Sequence, residues 1–478
     1  MEALQRLHNR GSISTGYDID NSLKLESDNN EHLYVTTMTS GNRRTWTYSI
    51  WFKRTELGFT NVLIHFGVNN QGTRMMIDDT DQLFVDIADT GSTLYRSITN
   101  RLFRDTSAWY HVVLRVDTTQ STEADRMRVY INGVEETSWA QHQIPTQNLD
   151  TLANTTVGAY DAMGIGTYVW AGSNYDGQFS GYISQVAHVD GQSYAATEFG
   201  EFDDDTGIWK PKDITGLTYG SSNNSFLLDF SNSADLGNDS SGNNNDWSLS
   251  NITAADQATD TPTNNFTTFN TLRRYNQGWV SFKEGATNVI TGSGNNWTTM
   301  FNTMAVNKGK WYFEGEVYSN EITQMFGQQP QAWTELNVHT DWYLGGNADK
   351  TKGAAYYCSG DDVYYEGGYV NSSASTGGDI ISVAMDCDNN KVHFAVNGVY
   401  TNSSDPANNT NGFAMLDDYQ YFATAIFPGS ATWKYNFGGY TTISISSAAS
   451  DADGYGTFEY APPSGYYALC TKNLEEYG

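Results

Sequence analysis

Asp78, Asp79 and Asp81 lie close together in the run Asp78-Asp79-Thr80-Asp81. They offer the hard oxygen donors that calcium takes, between two segments that alternate as strands. Asp386, Asp388 and Asn389 crowd a comparable turn further along. Neither set has EF-hand spacing, and a solvated acidic turn is the alternative reading of both. A second chemistry is offered by aromatics set among small and polar residues. These are Trp170 and Tyr175 in Tyr168-Val-Trp-Ala-Gly-Ser-Asn-Tyr175, and Trp333, Trp342 and Tyr343 within 328–347. Such rings stack on sugar faces or anchor a protein interface. These five are the candidate ligand-binding residues; Asp78, Asp79 and Asp81 are the candidate metal ligands, with Ca2+ as the ion.

Catalytic signatures are missing. The chain has no His-Glu-x-x-His, no Gly-x-Ser-x-Gly beside a credible triad and no phosphate-cradling glycine loop. A glycosidase needs only two carboxylates, and Asp203-Asp204-Asp205 is another cluster, but 55 acidic residues make chance proximity commonplace. We therefore read the chain as a non-enzyme. His111 and His188 sit in strand patterns without ligand-spaced partners and read as structural histidines.

The elements that must position these residues are strands. Of 478 residues, 26 are Lys or Arg and 55 Asp or Glu, a formal charge of 26 − 55 = −29 that repels phosphate backbones and anionic lipid. Only 17% of residues are charged, so the polarity comes from Asn, Thr, Ser and Gly rather than from helix faces. Aromatics at 14%, with 31 tyrosines, argue against disorder and suit half-buried sheets. The three cysteines, Cys358, Cys387 and Cys470, are odd in number and lack metal-ligand spacing, so at least one is expected as a buried free thiol. No signal-peptide pattern opens the sequence, no stretch reaches eighteen apolar residues, and neither secretion nor membrane insertion is expected.

Period-two alternation places Trp46, Tyr48, Ile50 and Phe52 on one strand face, with further short strands at 33–37, 62–66, 73–77 and 83–87. Segments 109–117 and 126–131 come next, the latter running into Asn132-Gly133, the signal of a type I′ hairpin. Strands are also expected at 155–159, 179–189 and 226–230, the last closing the first domain. Residues 251–275, rich in Thr, Asn and Asp, read as a polar linker. A second set of strands lies at 310–317, 364–369, 379–386, 391–396 before Asn397-Gly398, 421–427, 433–437 and 466–470. Trp46, Trp109 and Trp311 lie in alternating strands and read as core. The fold class is all-β: two antiparallel, jelly-roll-like sandwiches in series, over 21–250 and 276–478, after an N-terminal arm at 1–20.

Several phrases carry a resemblance. Gly41-Asn-Arg-Arg-Thr-Trp-Thr-Tyr-Ser-Ile-Trp-Phe-Lys-Arg54, Phe103-Arg-Asp-Thr-Ser-Ala-Trp-Tyr-His111, Val129-Tyr-Ile-Asn-Gly133 and Asp205-Thr-Gly-Ile-Trp-Lys-Pro-Lys212 resemble laminin-G/concanavalin A-like domains of bacteriophage structural proteins, marine phages especially. Gly309-Lys-Trp-Tyr-Phe-Glu-Gly-Glu316, the run 378–398 and Pro463-Ser-Gly-Tyr-Tyr-Ala-Leu-Cys-Thr-Lys-Asn-Leu474 are similar to SPRY-type sandwiches. The resemblance implies a recognition scaffold. The expectation is a virion appendage of tail or capsid, made in the host cytoplasm, that attaches to a host-surface polysaccharide or protein. Its expected partners are other virion proteins and further copies of itself, as a trimer or higher, and not nucleic acid. A decoration protein without glycan specificity and a polysaccharide depolymerase are the two rival readings.

Overall fold

Strand Thr45–Arg54 obeys its period-two pattern: Trp46, Tyr48, Ile50 and Phe52 enter one core, while Thr47, Ser49, Trp51 and Lys53 face the opposite way. The structure is a computed structural model. It describes residues 17–36, 39–68, 71–89, 93–155, 161–168, 177–204, 206–220, 224–275, 280–292, 297–318, 323–331, 344, 353–427, 429 and 431–478. The described residues divide between 263 and 264 into two compact units.

In the first unit Thr45–Arg54 pairs with Tyr110–Asp117 on one side and Gly181–Asp190 on the other. Met127–Ile131, Val134–Glu135, Ser22–Leu25, Gln257–Ala258 and Phe226–Leu228 complete an antiparallel eight-stranded sheet. A second eight-stranded sheet runs in the order Trp139–His142, Leu94–Leu102, Gln82–Ala88, Gln71–Ile77, Asn61–Val68, Asp161–Ile165, His32–Val35 and Ser248–Ser250. The two bury one core between them, in which Phe66 meets the rings of Trp46 at 5.8 Å and Tyr48 at 6.4 Å.

The outer face of the first sheet is also covered, by the hairpin of Gly200–Phe202 and Trp209–Pro211. Trp209 Nε1 donates to His111 Nδ1 at 3.0 Å, and the other ring nitrogen lies 2.8 Å from Ser49 Oγ. Trp51 stacks on the same imidazole at 4.4 Å. His111 is therefore a fully buried structural residue whose neighbours satisfy both nitrogens. The Asn132-Gly133 turn has φ of 47° and 78° and forms the expected hairpin. A Cβ at Gly133 would stand 2.2 Å from the Trp209 ring. Gly133→Ala is accordingly expected to lower the stability of this unit by about 2 kcal/mol through left-handed strain and overpacking, read as a shift in urea midpoint.

The second unit has a seven-stranded sheet in the order Phe269–Tyr275, Thr298–Asn302, Gln420–Ile426, Gln324–Pro330, Ala354–Tyr357, Asp362–Tyr365 and Gly368–Asn371. Facing it is a nine-stranded sheet built on Val280–Lys283, Asn288–Thr291, Ala431–Asn436, Lys310–Glu316, Ile380–Asp386, Lys391–Val396 and Val399–Tyr400. Phe413–Ala414 pairs with Lys391–Val396, and Tyr467–Ala468 pairs parallel to Lys310–Glu316 before the helix Thr471–Tyr477. Trp311, Phe313, Phe326, Phe394, Phe422 and Trp433 fill the space between the sheets. The all-β class with antiparallel sandwiches holds.

Several boundaries differ from the sequence reading. Residues 364–369 are not one strand but the end and start of two, joined at Glu366-Gly367, where both φ angles are positive. Residues 251–275 are not a connector. Gln257–Ala258 pairs with Ser22–Leu25, Asp260 is buried in the first unit, and Phe266 and Phe269 are buried in the second. The low hydrophobicity there reflects polar groups that are hydrogen-bonded inside rather than solvated. Strand 226–230 is correspondingly not the last of its unit and stops at Leu228. Of the proposed arm, 1–16 lies outside the described residues, as do positions 156–159 of the strand expected at 155–159. The Ile19 amide donates to Thr263 Oγ1 at 3.0 Å, tying the start of the described chain into the first unit. All three cysteines are buried free thiols, and burial pushes that of Cys470 up to about 12.

Candidate functional site

The acidic turn at 78–81 is committed to its own fold. Asp81 is buried, and its carboxylate accepts Arg54 Nη1 at 2.9 Å and Arg104 Nε at 2.8 Å. The arginines and the Gly58 amide hold this carboxyl below the usual range, although burial acts the other way. Asp78 accepts from Thr80 and Gln82 and caps the turn, and Asp79 is exposed. The three do not converge, because Asp81 turns inward to its arginines. Among the described residues no group of three His, Cys, Asp or Glu is placed to hold a metal ion. Asp386 is similarly used, accepting Lys310 Nζ at 3.0 Å and the Asn389 amide at 3.0 Å. The aromatics Trp170, Tyr175, Trp333, Trp342 and Tyr343 all lie outside the described residues.

A site that the sequence reading passed over forms at the edge of the second sheet of the first unit. The run Asn238–Asp246 is nearly devoid of apolar side chains, yet it is tightly tied. Buried Asp239 accepts the amides of Leu227, Ser241 and Asn245 and the Ser241 hydroxyl, each at 2.9 Å. Its own amide donates to Asp246 Oδ1 at 2.9 Å. The side-chain amides of Asn243 and Asn245 donate to Ser225 O, fastening the loop beside Phe226–Leu228. The chain then enters Ser248–Ser250 with the Trp247 indole buried edge-to-face on Phe226 at 4.9 Å. Asn244, Asp246 and Ser248 are left exposed at the lip.

Opposite this lip stand Val35, Thr36, Met163 and Asn224, and the walls enclose an open cleft of about 230 Å³. Asn224 is fixed there: its Oδ1 accepts the Thr39 amide at 3.2 Å, its Nδ2 donates to Thr39 O at 2.9 Å, and its amide donates to Asp190 Oδ2 at 3.2 Å. Burial pushes the Asp190 carboxyl above its ordinary value. The cleft thus joins an aromatic floor to amide, hydroxyl and carboxylate groups, with Asp246 the one carboxylate and no cation lining it among the described residues. That donor set suits a neutral polyhydroxyl compound. The volume lies below the roughly 300–1,000 Å³ of drug-sized sites and admits about one sugar ring.

These features define a concanavalin A-like sandwich with a small polar cleft. Residues 27–192 match the model of the concanavalin A-like lectin/glucanases superfamily, so the first unit carries a domain of that type. No curated protein matches the chain. Solved structures similar to parts of it include the SPRY domain of human HERC1, at 15% identity and TM-score 0.27, covering 35% of this chain and 96% of that one. Another is a native heptameric SAP-like pentraxin from Limulus polyphemus, at 18% identity and TM-score 0.28, covering 38% of this chain and 80% of that one.

Asn244, Asp246 and Trp247 were legible in part. A tryptophan closing an Asn/Ser/Gly run at the mouth of a strand is a usable signal, but it is read only when the run is taken as a tied loop and not as the margin of a linker.

Proposed function

We propose that the chain is a non-catalytic glycan-attachment protein, and that the cleft of the first unit is its primary sugar site. The observation that carries this reading is the pairing of the Trp247–Phe226 floor with the exposed Asn244 and Asp246 lip, on a concanavalin A-like sandwich whose fold is compatible with carbohydrate binding. Hydrolysis takes two carboxylates flanking the scissile bond. Asp246 alone lines the cleft among the described residues, which favours binding over turnover. The phage-like phrases at 41–54, 103–111 and 205–212 extend the reading to a virion appendage that holds a host-surface polysaccharide, with several copies on a symmetric mount.

A glycan array tests the core of the proposal. The whole chain is expected to bind at least one glycan. Asp246→Ala and Asn244→Ala are each expected to weaken that binding about tenfold or more, the scale of one lost hydrogen bond to a charged or amide group. An array with no signal above background, or release of reducing ends from a bound polysaccharide, would overturn it.

A further inference from the structure

Lys24 alternates with the core residues Leu23 and Leu25 and so leaves the opposite face of its strand, yet it is 1% exposed. Two buried carboxylates reach its ammonium: Glu31 Oε2 and Asp256 Oδ1 each lie 2.9 Å from Nζ. Sheet register accounts for the meeting with Asp256. Ser22 pairs with Ala258 and Leu23 with Gln257, so the next step along the ladder sets Lys24 beside Asp256 on one face. Both carboxylates are held from outside the cluster. Glu31 accepts the Glu26 amide at 2.8 Å and Asn29 Nδ2 at 2.9 Å. Asp256 Oδ2 accepts the Thr253 amide at 2.8 Å and the Thr253 hydroxyl at 3.2 Å, which leaves Oδ1 to Lys24. One ammonium with two carboxylates is a costly set of ions to keep out of water. Burial accordingly raises Glu31 to about 7, which suits a group that takes up and returns a proton near neutral pH.

We infer that Lys24 and Asp256 join through a side-chain amide bond, which the folded chain forms by itself with Glu31 as the proton relay. The Lys24 ammonium gives a proton to Glu31, and the freed amine attacks Asp256 Cγ. The Nζ–Cγ bond forms and the Cγ–Oδ1 bond breaks, while Glu31 returns its proton to the departing oxygen. Of the three ammonium protons one stays on the amide and two leave in water, so the step balances without a further reactant. Charge that develops on Oδ2 falls on the two Thr253 donors, and the fixed approach of the amine replaces a bimolecular encounter. The bond fastens Ser22–Leu25, the first described strand of the unit, beside Gln257–Ala258, the last. Tension on the two ends of the unit then meets a covalent link before it meets the hydrogen bonds of the sheet. The link is independent of the sugar cleft.

The intact mass of the purified full chain, measured after denaturation, tests it. The expected value is the sequence mass less one water, and a digest is expected to yield a branched peptide that joins the segments holding Lys24 and Asp256. Lys24→Arg keeps the charge but supplies no amine nucleophile, and the full mass is expected to return. Glu31→Gln is expected to restore the full mass in a chain that circular dichroism shows to be folded, because an amide side chain cannot take up the proton. A parent chain at full sequence mass overturns the inference whatever the variants do. So does a water lost within one unbranched peptide, as in an aspartyl succinimide, or a link at Lys53 and Asp260 instead. A folded Glu31→Gln chain that links as fully as the parent overturns it too, since the relay would then be idle.

Discussion

Asp260→Ala is expected to destabilise the first unit by about 3–5 kcal/mol, a large share of the roughly 5–15 kcal/mol that holds a domain folded. Lys53 and Asp260 form an ion pair at 2.7 Å with both side chains essentially out of solvent. The second carboxylate oxygen accepts Trp109 Nε1 at 3.0 Å, and the Ser22 hydroxyl donates to the Asp260 carbonyl at 2.6 Å. The pair therefore ties the end of the unit to Thr45–Arg54 and Ser22–Leu25. Deleting the carboxylate leaves the Lys53 ammonium buried without its counter-charge, and that is the source of the cost. The double variant Lys53→Met/Asp260→Leu removes both charges and is expected to recover most of the loss, because replacing a buried pair by apolar groups is often close to neutral. Urea unfolding of the two variants checks this. A single variant within about 1 kcal/mol of the parent, or a double variant no more stable than the single, would sink it.

That pair also shows where sequence patterning stops being informative. Period two placed Trp46, Tyr48, Ile50 and Phe52 in the core because one apolar face demands a single cover. It said nothing of the opposite face, where Ser49, Trp51 and His111 are buried beside a hairpin reached from far along the chain and Lys53 is buried against Asp260. Hairpins at Asn132-Gly133 and Asn397-Gly398 were legible because positive φ selects asparagine and glycine locally. Leu94–Leu102 and Gln324–Pro330 were not, since Arg, Asn and Gln interrupt their apolar pattern and pairing with neighbours decides them.

The site was less legible than the fold for a related reason. Acidic clusters such as 78–81 look alike in sequence whether their oxygens face a cation or an arginine, and Arg54 and Arg104 are distant along the chain. Asp239 has the same ambiguity. Its neighbours 238–246 offer almost no apolar residue and no strand pattern, yet its four hydrogen bonds fold the loop that carries Asn244 and Asp246 to the cleft. Tyr364 and Tyr369 were assigned to one strand, which would point them away from a shared stack. The positive φ at Glu366 and Gly367 instead folds them side by side across a hairpin, their rings 4.7 Å apart and tilted.

Acidification is expected to lower the stability of the first unit more than that of the second. His65, His111 and His188 are fully buried there, and desolvation pushes each down to about 3. A histidine whose folded value lies below its unfolded value contributes stability fully above about pH 6.5 and loses it as pH falls towards the folded value. At pH 5.5 each therefore contributes about 1.4 kcal/mol less than at neutrality, or about 4 kcal/mol for the three. Glu31 acts in the opposite sense. Burial, which outweighs its contact with Lys24 at 2.9 Å, raises it to about 7, so that protonation between pH 7 and 5.5 favours the folded state and returns about 2 kcal/mol. The histidine term prevails and grows steeply, since three groups lose stability with each further pH unit while Glu31 saturates near its unfolded value. In the second unit His393, lowered to about 4, is the buried histidine among the described residues. Thermal unfolding of the whole chain from about pH 7.5 to 5.0 should show the first-unit transition losing about 1–2 kcal/mol more than the other, and Asp260→Ala identifies which belongs to the first unit. Glu31→Gln removes the offset and should make the fall steeper. Equal movement of both transitions, or a first-unit transition that rises on acidification, would mean that the imidazoles gain protons without unfolding and that their burial is not what sets the acid limit.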